Sequence, residues 1–407
     1  MAIKILAIGD VANIIRTIKK YSKFEIHLIN YPKDGAGKFI YQEGSELFES
    51  SKVKEQVKKI NQIKDNFDVC LTTGSERVAY LADLNYIAYY LGRDIDVPMF
   101  KKNSTEQWQK DSLHQKNFLE RKFYWKAFKN AVTHVAGMWQ YESLKKYTKS
   151  GINSARIPID TNEFNPSVKP ISLKKNKFTF FSPMRMEKAK GTDILWKALK
   201  LCKSDFDVIG VDWYGETTEE ERKFKKKLIQ DMPPQIRLIP AINKNDIPKY
   251  YTFADAVIAN LFIGTFELVG LESIMCGTPV IQYTNKQRKI IVDGNEIDSP
   301  FLPFSNDPKD IAETIDKIVD SDEFREKLFN EEQKFVKIIS DPKKCAEWWD
   351  KLFEKTYQEK KSIRKNSSSI LVRFRMINFL IVNRLYLNKL NRLIRGRHSY
   401  EKQTMYK

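Results

Sequence analysis

Histidine and cysteine are scarce: His27, His114, His134 and His398, with Cys70, Cys202, Cys276 and Cys345, are the full complement in 407 residues. They stand far apart, so neither a zinc spacing nor a disulfide framework can be written, and the cysteines read as small, reduced core residues. No uncharged apolar run of about 20 residues occurs, which excludes a membrane-spanning helix of ordinary length. No signal peptide is expected either. Met1 leads directly into an apolar strand at Ile3 to Ile8, as expected of a protein made and kept in the cytosol. Acidic residues are absent from one long stretch: between Lys360 and Tyr400 eleven Lys or Arg meet no Asp or Glu, so this tail supplies more than half of the formal net charge of +18. If the charge serves an anionic partner, that partner is expected at this end.

What is present is enough apolar material for two cores, 42% of the chain. In the first half, strands at 3–8, 24–29, 68–72 and 133–137 alternate with helices at 12–20, 51–64, 75–84 and 141–149. The second half repeats the alternation, with strands at 178–182, 206–211, 236–240, 256–260 and 280–283 and helices at 192–203, 245–253 and 266–276. Such a pattern implies an α/β class with doubly wound parallel sheets. Pro166 and Pro170 mark a linker. The expected division is an N-terminal domain at 1–168, a second at 169–340, a crossover helix at 341–357 around Trp348 and Trp349 that returns to the first domain, and a basic apolar tail at 358–407.

The chain is organised around residues 254–282, where a helix joins two short apolar strands as a parallel crossover. Leu268, Leu271 and Met275 fall at helical spacing and are expected to face the sheet. Glu272 lies beside that stripe, where a carboxylate loses solvation unless something hydrogen-bonds to it. Two vicinal hydroxyls, such as those of a ribose, would satisfy it; a solvated, inert helix carboxylate is the alternative. Arg185 and Lys190 flank a loop after the strand at 178–182, and two converging cations are what a diphosphate requires. Ordinary surface cations are the competing reading.

Gly9 ends the first strand, where a closely approaching ligand needs a residue without a side chain. Asp94, in GRDIDVP, could hold a sugar hydroxyl or accept a proton, or merely cap a turn. Gly35-Ala36-Gly37-Lys38 looks like the end of a phosphate loop, but Pro32 and Phe39 break the pattern. Aromatic and basic residues at 104–131 recur at helical spacing and read as core, so no nucleic-acid partner is expected. The segment 370–395 is apolar with Arg and Lys beside it, the composition of a helix on an anionic membrane surface or docked on the protein body.

Three segments resemble the retaining nucleotide-sugar glycosyltransferases of family 4, which have the GT-B fold. Ile157 to Pro166 (IPIDTNEFNP) looks like the family's IPNGVDxxxFxP, Arg185 to Gly191 (RMEKAKG) like RLxxxKG, and Phe266 to Ile281 (FELVGLESIMCGTPVI) like FGLVxLEAMAxGxPVI. The resemblance implies two Rossmann-like domains facing across a cleft and metal-independent transfer from a nucleotide-sugar to a glycan or lipid-linked acceptor, with no cofactor. It implies a catalytic set of Arg185, Lys190, Asp94 and Glu267, and a donor-binding set of Gly9, Gly264, Thr265, Phe266, Leu268, Val269 and Glu272. Two departures stand out. Gly264 replaces the first glutamate of the family's pair, and Glu267 replaces the family's glycine. Either Glu267 reaches the sugar or the sugar is held differently, and a scaffold that has lost catalysis and binds a nucleotide or partner is the alternative function.

Overall fold

A computed structural model describes the chain except for residues 1–2, 11, 32–43, 92–117, 139, 149–150, 215–218, 361 and 388–407. The glycine-rich loop at 35–38, Asp94 and the end of the basic tail therefore lie outside the described residues. The chain forms two units, one of residues 1–158, 291–294 and 342–407, the other of residues 159–290 and 295–341.

In the first unit β1 (Lys4–Ile8), β2 (Glu25–Asn30), β3 (Glu46–Leu47), β4 (Val69–Thr72), β5 (Tyr86–Tyr90), β6 (Thr133–Gly137) and β7 (Ile152–Ala155) build one sheet in the order β3-β2-β1-β4-β5-β6-β7. Every pairing is parallel. Parallel strands are covered on both faces, which is why β1 is apolar and fully buried from Ile5 to Ile8 and β4 and β5 are buried along their whole length, with only Thr72 of β4 polar. β3 is a two-residue edge strand and β7 a half-buried polar one (INSA), so neither carries the apolar run by which a strand is read from sequence. The helix Pro342–Lys360 belongs to this unit. Its Trp349 meets Tyr89 edge-on at 4.9 Å between ring centroids, and its Asp350 accepts from the Ser22 hydroxyl at 2.5 Å and the Lys23 N–H at 3.0 Å.

In the second unit β8 (Phe178–Ser182), β9 (Phe206–Val211), β10 (Ile236–Ile239), β11 (Ala256–Ile258) and β12 (Val280–Ile281) form a parallel sheet in the order β10-β9-β8-β11-β12. Phe180, Val208, Ile258, Ile281, Leu195 and Ile315 share its core, each contributing about 1.5–3 kcal/mol by burial. Residues 159–165, ahead of the linker prolines, are tied to this unit: Ile159 N–H donates to the Ser340 carbonyl at 3.2 Å, and Phe164 packs on Tyr251.

The central helix is shorter than its sequence pattern, spanning Leu268–Met275. Phe266 is 2% exposed and packs edge-on against Phe335, and Glu267 is extended, so helical geometry cannot begin before Leu268. As a result Gly270, Leu271 and Ile274 are the buried face, while Leu268 and Met275, expected on it, are half-buried. The apolar stripe read from sequence is thus rotated by about one residue.

Candidate functional site

In each sheet the strand order reverses at one place, between β1 and β4 and between β8 and β11. At such a point the loops leaving the carboxyl ends diverge to opposite faces and open a crevice for ligands. In the second unit the loop after β8 carries Arg185 and Lys190, and the loop after β11 carries Asn260, Gly264 and Glu267.

Asn260 is fully buried and organises both loops. Its Oδ1 accepts from Phe262 N–H at 2.8 Å and Ile263 N–H at 2.9 Å, fixing the turn as an Asx motif. Its Nδ2 donates to Glu267 Oε1 at 2.9 Å and to the Ala189 carbonyl at 3.3 Å. Lys190 Nζ completes the cluster by donating to Glu267 Oε1 at 2.6 Å and Oε2 at 2.9 Å. Glu267 also begins the helix Leu268–Met275, but its side chain makes no capping bond. The N–H groups of Leu268 and Val269, which have no acceptor within the helix, therefore follow directly on the residue that holds the Lys190 ammonium, at the positive end of the helix dipole. The constellation attracts an anion, and its present occupant is the chain's own carboxylate.

Arg185 is engaged within its own loop. It donates to Glu187 Oε1 at 2.8 Å and lies 5.7 Å over the Trp213 ring, with its Nε buried and without a protein partner. Gly264 has φ +74°, and a Cβ there would stand 2.7 Å from the Asn285 Cβ and 2.9 Å from the Tyr283 ring. No side chain, and hence no carboxylate, can occupy that position without rebuilding the loop. Thr265 is buried, its carbonyl accepting from Gln282 Nε2 at 2.8 Å, and Leu268 and Val269 form the half-buried first turn of the helix.

Glu272 is 4% exposed, which excludes the solvated carboxylate that the sequence left open. Lys244 Nζ donates to its Oε1 at 2.6 Å and the Tyr251 hydroxyl to its Oε2 at 3.1 Å. The desolvation that the sequence flagged is met inside the protein, by two residues that sequence reasoning missed. Neither stands at a motif position; they are brought in by the turn and short helix that precede β11.

In the first unit Gly9, at φ +83°, closes β1 where a Cβ would lie 2.4 Å from the Thr73 carbonyl. The Tyr31 hydroxyl donates to that carbonyl at 2.5 Å and the Thr73 hydroxyl to the Gly9 carbonyl at 2.6 Å. The close approach that requires glycine is to the protein's own loop ends. Beside it Asp10, overlooked in the sequence, is fully buried, accepts from Arg16 N–H at 2.8 Å and has its carboxyl pushed up to about 6 by burial, against main-chain N–H bonds that lower it.

Residues 164–335 match the family model described as glycosyl transferases group 1, a stretch that falls in the second unit apart from 291–294. The D-inositol 3-phosphate glycosyltransferase of Arthrobacter sp. (strain FB24) is 28% identical over 140 residues, 32% of this chain and 33% of that protein. Its namesake from Pseudarthrobacter chlorophenolicus is 29% identical over 102 residues, 24% of each chain. The chain thus spans about a third or less of the length of the curated relatives it matches. Among solved structures, sucrose-phosphate synthase from Thermosynechococcus elongatus superposes with a TM-score of 0.68 at 13% identity, over 88% of this chain and 100% of that one. Anabaena HepE in complex with UDP and glucose gives 0.63 at 14% identity, over 86% and 99%. An alpha-glucosyltransferase in complex with UDP gives 0.60 at 13% identity, over 87% and 100%. These likenesses establish the GT-B fold class, two Rossmann-like α/β units with a helical C-terminal region.

Proposed function

We propose that the protein is a retaining, metal-independent glycosyltransferase that moves a sugar from a nucleotide-sugar donor to a glycan or lipid-linked acceptor. The observation that carries this is the Lys190, Asn260 and Glu267 cluster, set at the strand-order reversal of a glycosyl transferases group 1 domain. A donor diphosphate would replace Glu267 as the partner of Lys190 and take up the N–H groups of Leu268 and Val269, while the Arg185 fork bonds further phosphate oxygens. As the bond from sugar to phosphate breaks, positive charge grows on the sugar ring and negative charge on the departing diphosphate. Cations placed beforehand at that diphosphate stabilise the transition state more than the ground state. Glu267, freed from Lys190, would accept from a sugar hydroxyl in place of the acid that Gly264 excludes. Glu272 would hold the ribose hydroxyls through the lone pairs that Lys244 and Tyr251 leave. By the family resemblance, Gly9 is proposed for donor binding and Asp94 for the catalytic set. A lipid-linked acceptor would hold the enzyme at the cytoplasmic face of a membrane.

UDP-glucose is the first donor to assay, since UDP and glucose are what Anabaena HepE was crystallised with. Release of nucleoside diphosphate in the presence of membrane extract is expected, and Lys190→Ala should lower kcat/KM by about 10²-fold or more. No release from any of a panel of uridine, adenosine, guanosine and thymidine diphosphate sugars would contradict the proposal. The backbone that excludes a side chain at Gly264 also favours a second reading, a scaffold that binds the nucleotide without turnover. Tight nucleotide binding with neither transfer nor hydrolysis would select it.

A further inference from the structure

The helix Ser369–Leu387 has two apolar faces. One is docked on the first unit: Phe379 and Val382 are 6% and 8% exposed, and Phe379 packs on Phe123 with ring centroids 5.2 Å apart. Arg375 anchors that face, donating to Asp83 Oδ1 at 2.7 Å and to the Ser367 hydroxyl at 3.1 Å, and lying 4.8 Å over the Tyr80 ring. The preceding residues are stitched down as well, with Asn85 N–H donating to the Ile363 carbonyl at 2.8 Å and Lys365 N–H to the Asp83 carbonyl at 2.9 Å. The helix is held in one rotation about its axis.

That rotation turns a second apolar row outward. Ile370, Phe374, Ile377 and Ile381, at helical spacing, are 79%, 61%, 53% and 52% exposed, and Leu380 beside them is 40% exposed. Soluble monomers seldom expose so continuous an apolar strip, and such strips mark contact with another apolar phase. The charge around it selects which. Arg373 is exposed next to the row, and the sequence from Lys360 to Tyr400 holds no acid and eleven cations, of which Arg364 and Arg375 are paired with Asp65 and Asp83 of the first unit. A second copy placed face to face would oppose Arg373 to its own counterpart, and the helix sequence holds no carboxylate to offset it. An anionic lipid surface offers an apolar interior to the row and phosphates to the cations.

We infer that the outward face of the helix Ser369–Leu387 lies on an anionic membrane surface, the docked face fixing its orientation. This stands on surface geometry and charge, independently of the donor site. The test is cosedimentation of the full chain with vesicles of phosphatidylglycerol mixed into phosphatidylcholine, compared with phosphatidylcholine alone. Binding is expected to the mixed vesicles, to weaken as salt is raised, and to fall about tenfold or more in the Phe374→Asp, Ile377→Asp double variant, whose exposed positions leave thermal stability unchanged. Failure of the wild type to bind mixed vesicles, equal binding to uncharged vesicles, or undiminished binding by the variant overturns the inference. So does a dimer in sedimentation velocity that the double variant dissolves, which would assign the face to a second copy.

Discussion

Lys190 and Glu267 form an ion pair where we propose that the donor diphosphate binds, and this pair carries the proposal at the scale of single residues. Glu267→Gln keeps the shape and removes the counter-charge, so a nucleoside diphosphate should bind about tenfold more tightly in calorimetry, since it no longer displaces a carboxylate. Unchanged or weaker affinity would show that Glu267 does not compete with the ligand. Restoring the family's acid by Gly264→Glu is expected to lower stability by about 1–3 kcal/mol and to restore nothing, because φ is +74° and the neighbouring Asn285 and Tyr283 fill the space. A thermal midpoint equal to wild type would contradict that. Asp10 makes a pH-dependent prediction. Its folded value of about 6 lies above the ordinary 3.8, so its contribution to stability is complete below about pH 3.8 and lost as pH rises through about 6. The gap corresponds to about 3 kcal/mol at high pH, and Asp10→Asn should therefore stabilise more at pH 8 than at pH 5, by about 1 kcal/mol in urea unfolding. A difference that does not vary with pH would refute the assignment. Arg185, Lys190, Glu267 and Glu272 were legible in the sequence as charges at motif spacing. Asn260, Lys244 and Tyr251 were not, because their roles arise from side chains meeting across segments that no local pattern links.

Elements show the same division between local and tertiary causes. Long, strongly patterned strands such as β8 and β9 stand at the residues their composition indicates, whereas the central helix starts late because Phe266 is claimed by Phe335. The edge strands β3 and β7 exist only through their ladder partners, which a sequence window cannot contain. The docking of the helix Ser369–Leu387 is equally tertiary: its sequence is apolar nearly all round, and contacts with Asp83, Tyr80 and Phe123 decide which side is covered. Asp83 and Arg375 are both buried, and although burial opposes it, bonds from Ser367 and Arg375 hold the Asp83 carboxyl below its ordinary value. Arg375→Ala leaves that carboxylate without its cation, a loss of about 3 kcal/mol. Hydrogen exchange at residues 369–382 should then accelerate, while amides of the second unit keep their protection. Uniform acceleration across both units, or none, would show that the pair does not hold this helix.

At the scale of the molecule, the two parallel sheets follow from strand and helix alternation, and the strand orders place candidate chemistry at each reversal point. Composition gave no access to those orders; they come from which strands share hydrogen bonds. The family match covers the second unit, whose loops carry the charged cluster, and the first unit, where an acceptor would be recognised, is known by fold alone. Donor binding is therefore the claim on which the functional reading stands. Its most direct measurement is calorimetric titration of UDP, ADP, GDP and thymidine diphosphate into the wild type and Lys190→Ala. The account predicts that at least one binds the wild type and that the substitution weakens it by about tenfold or more, since a charge-assisted bond to phosphate is lost. Binding of none of the four, or equal affinity in the variant, would contradict it.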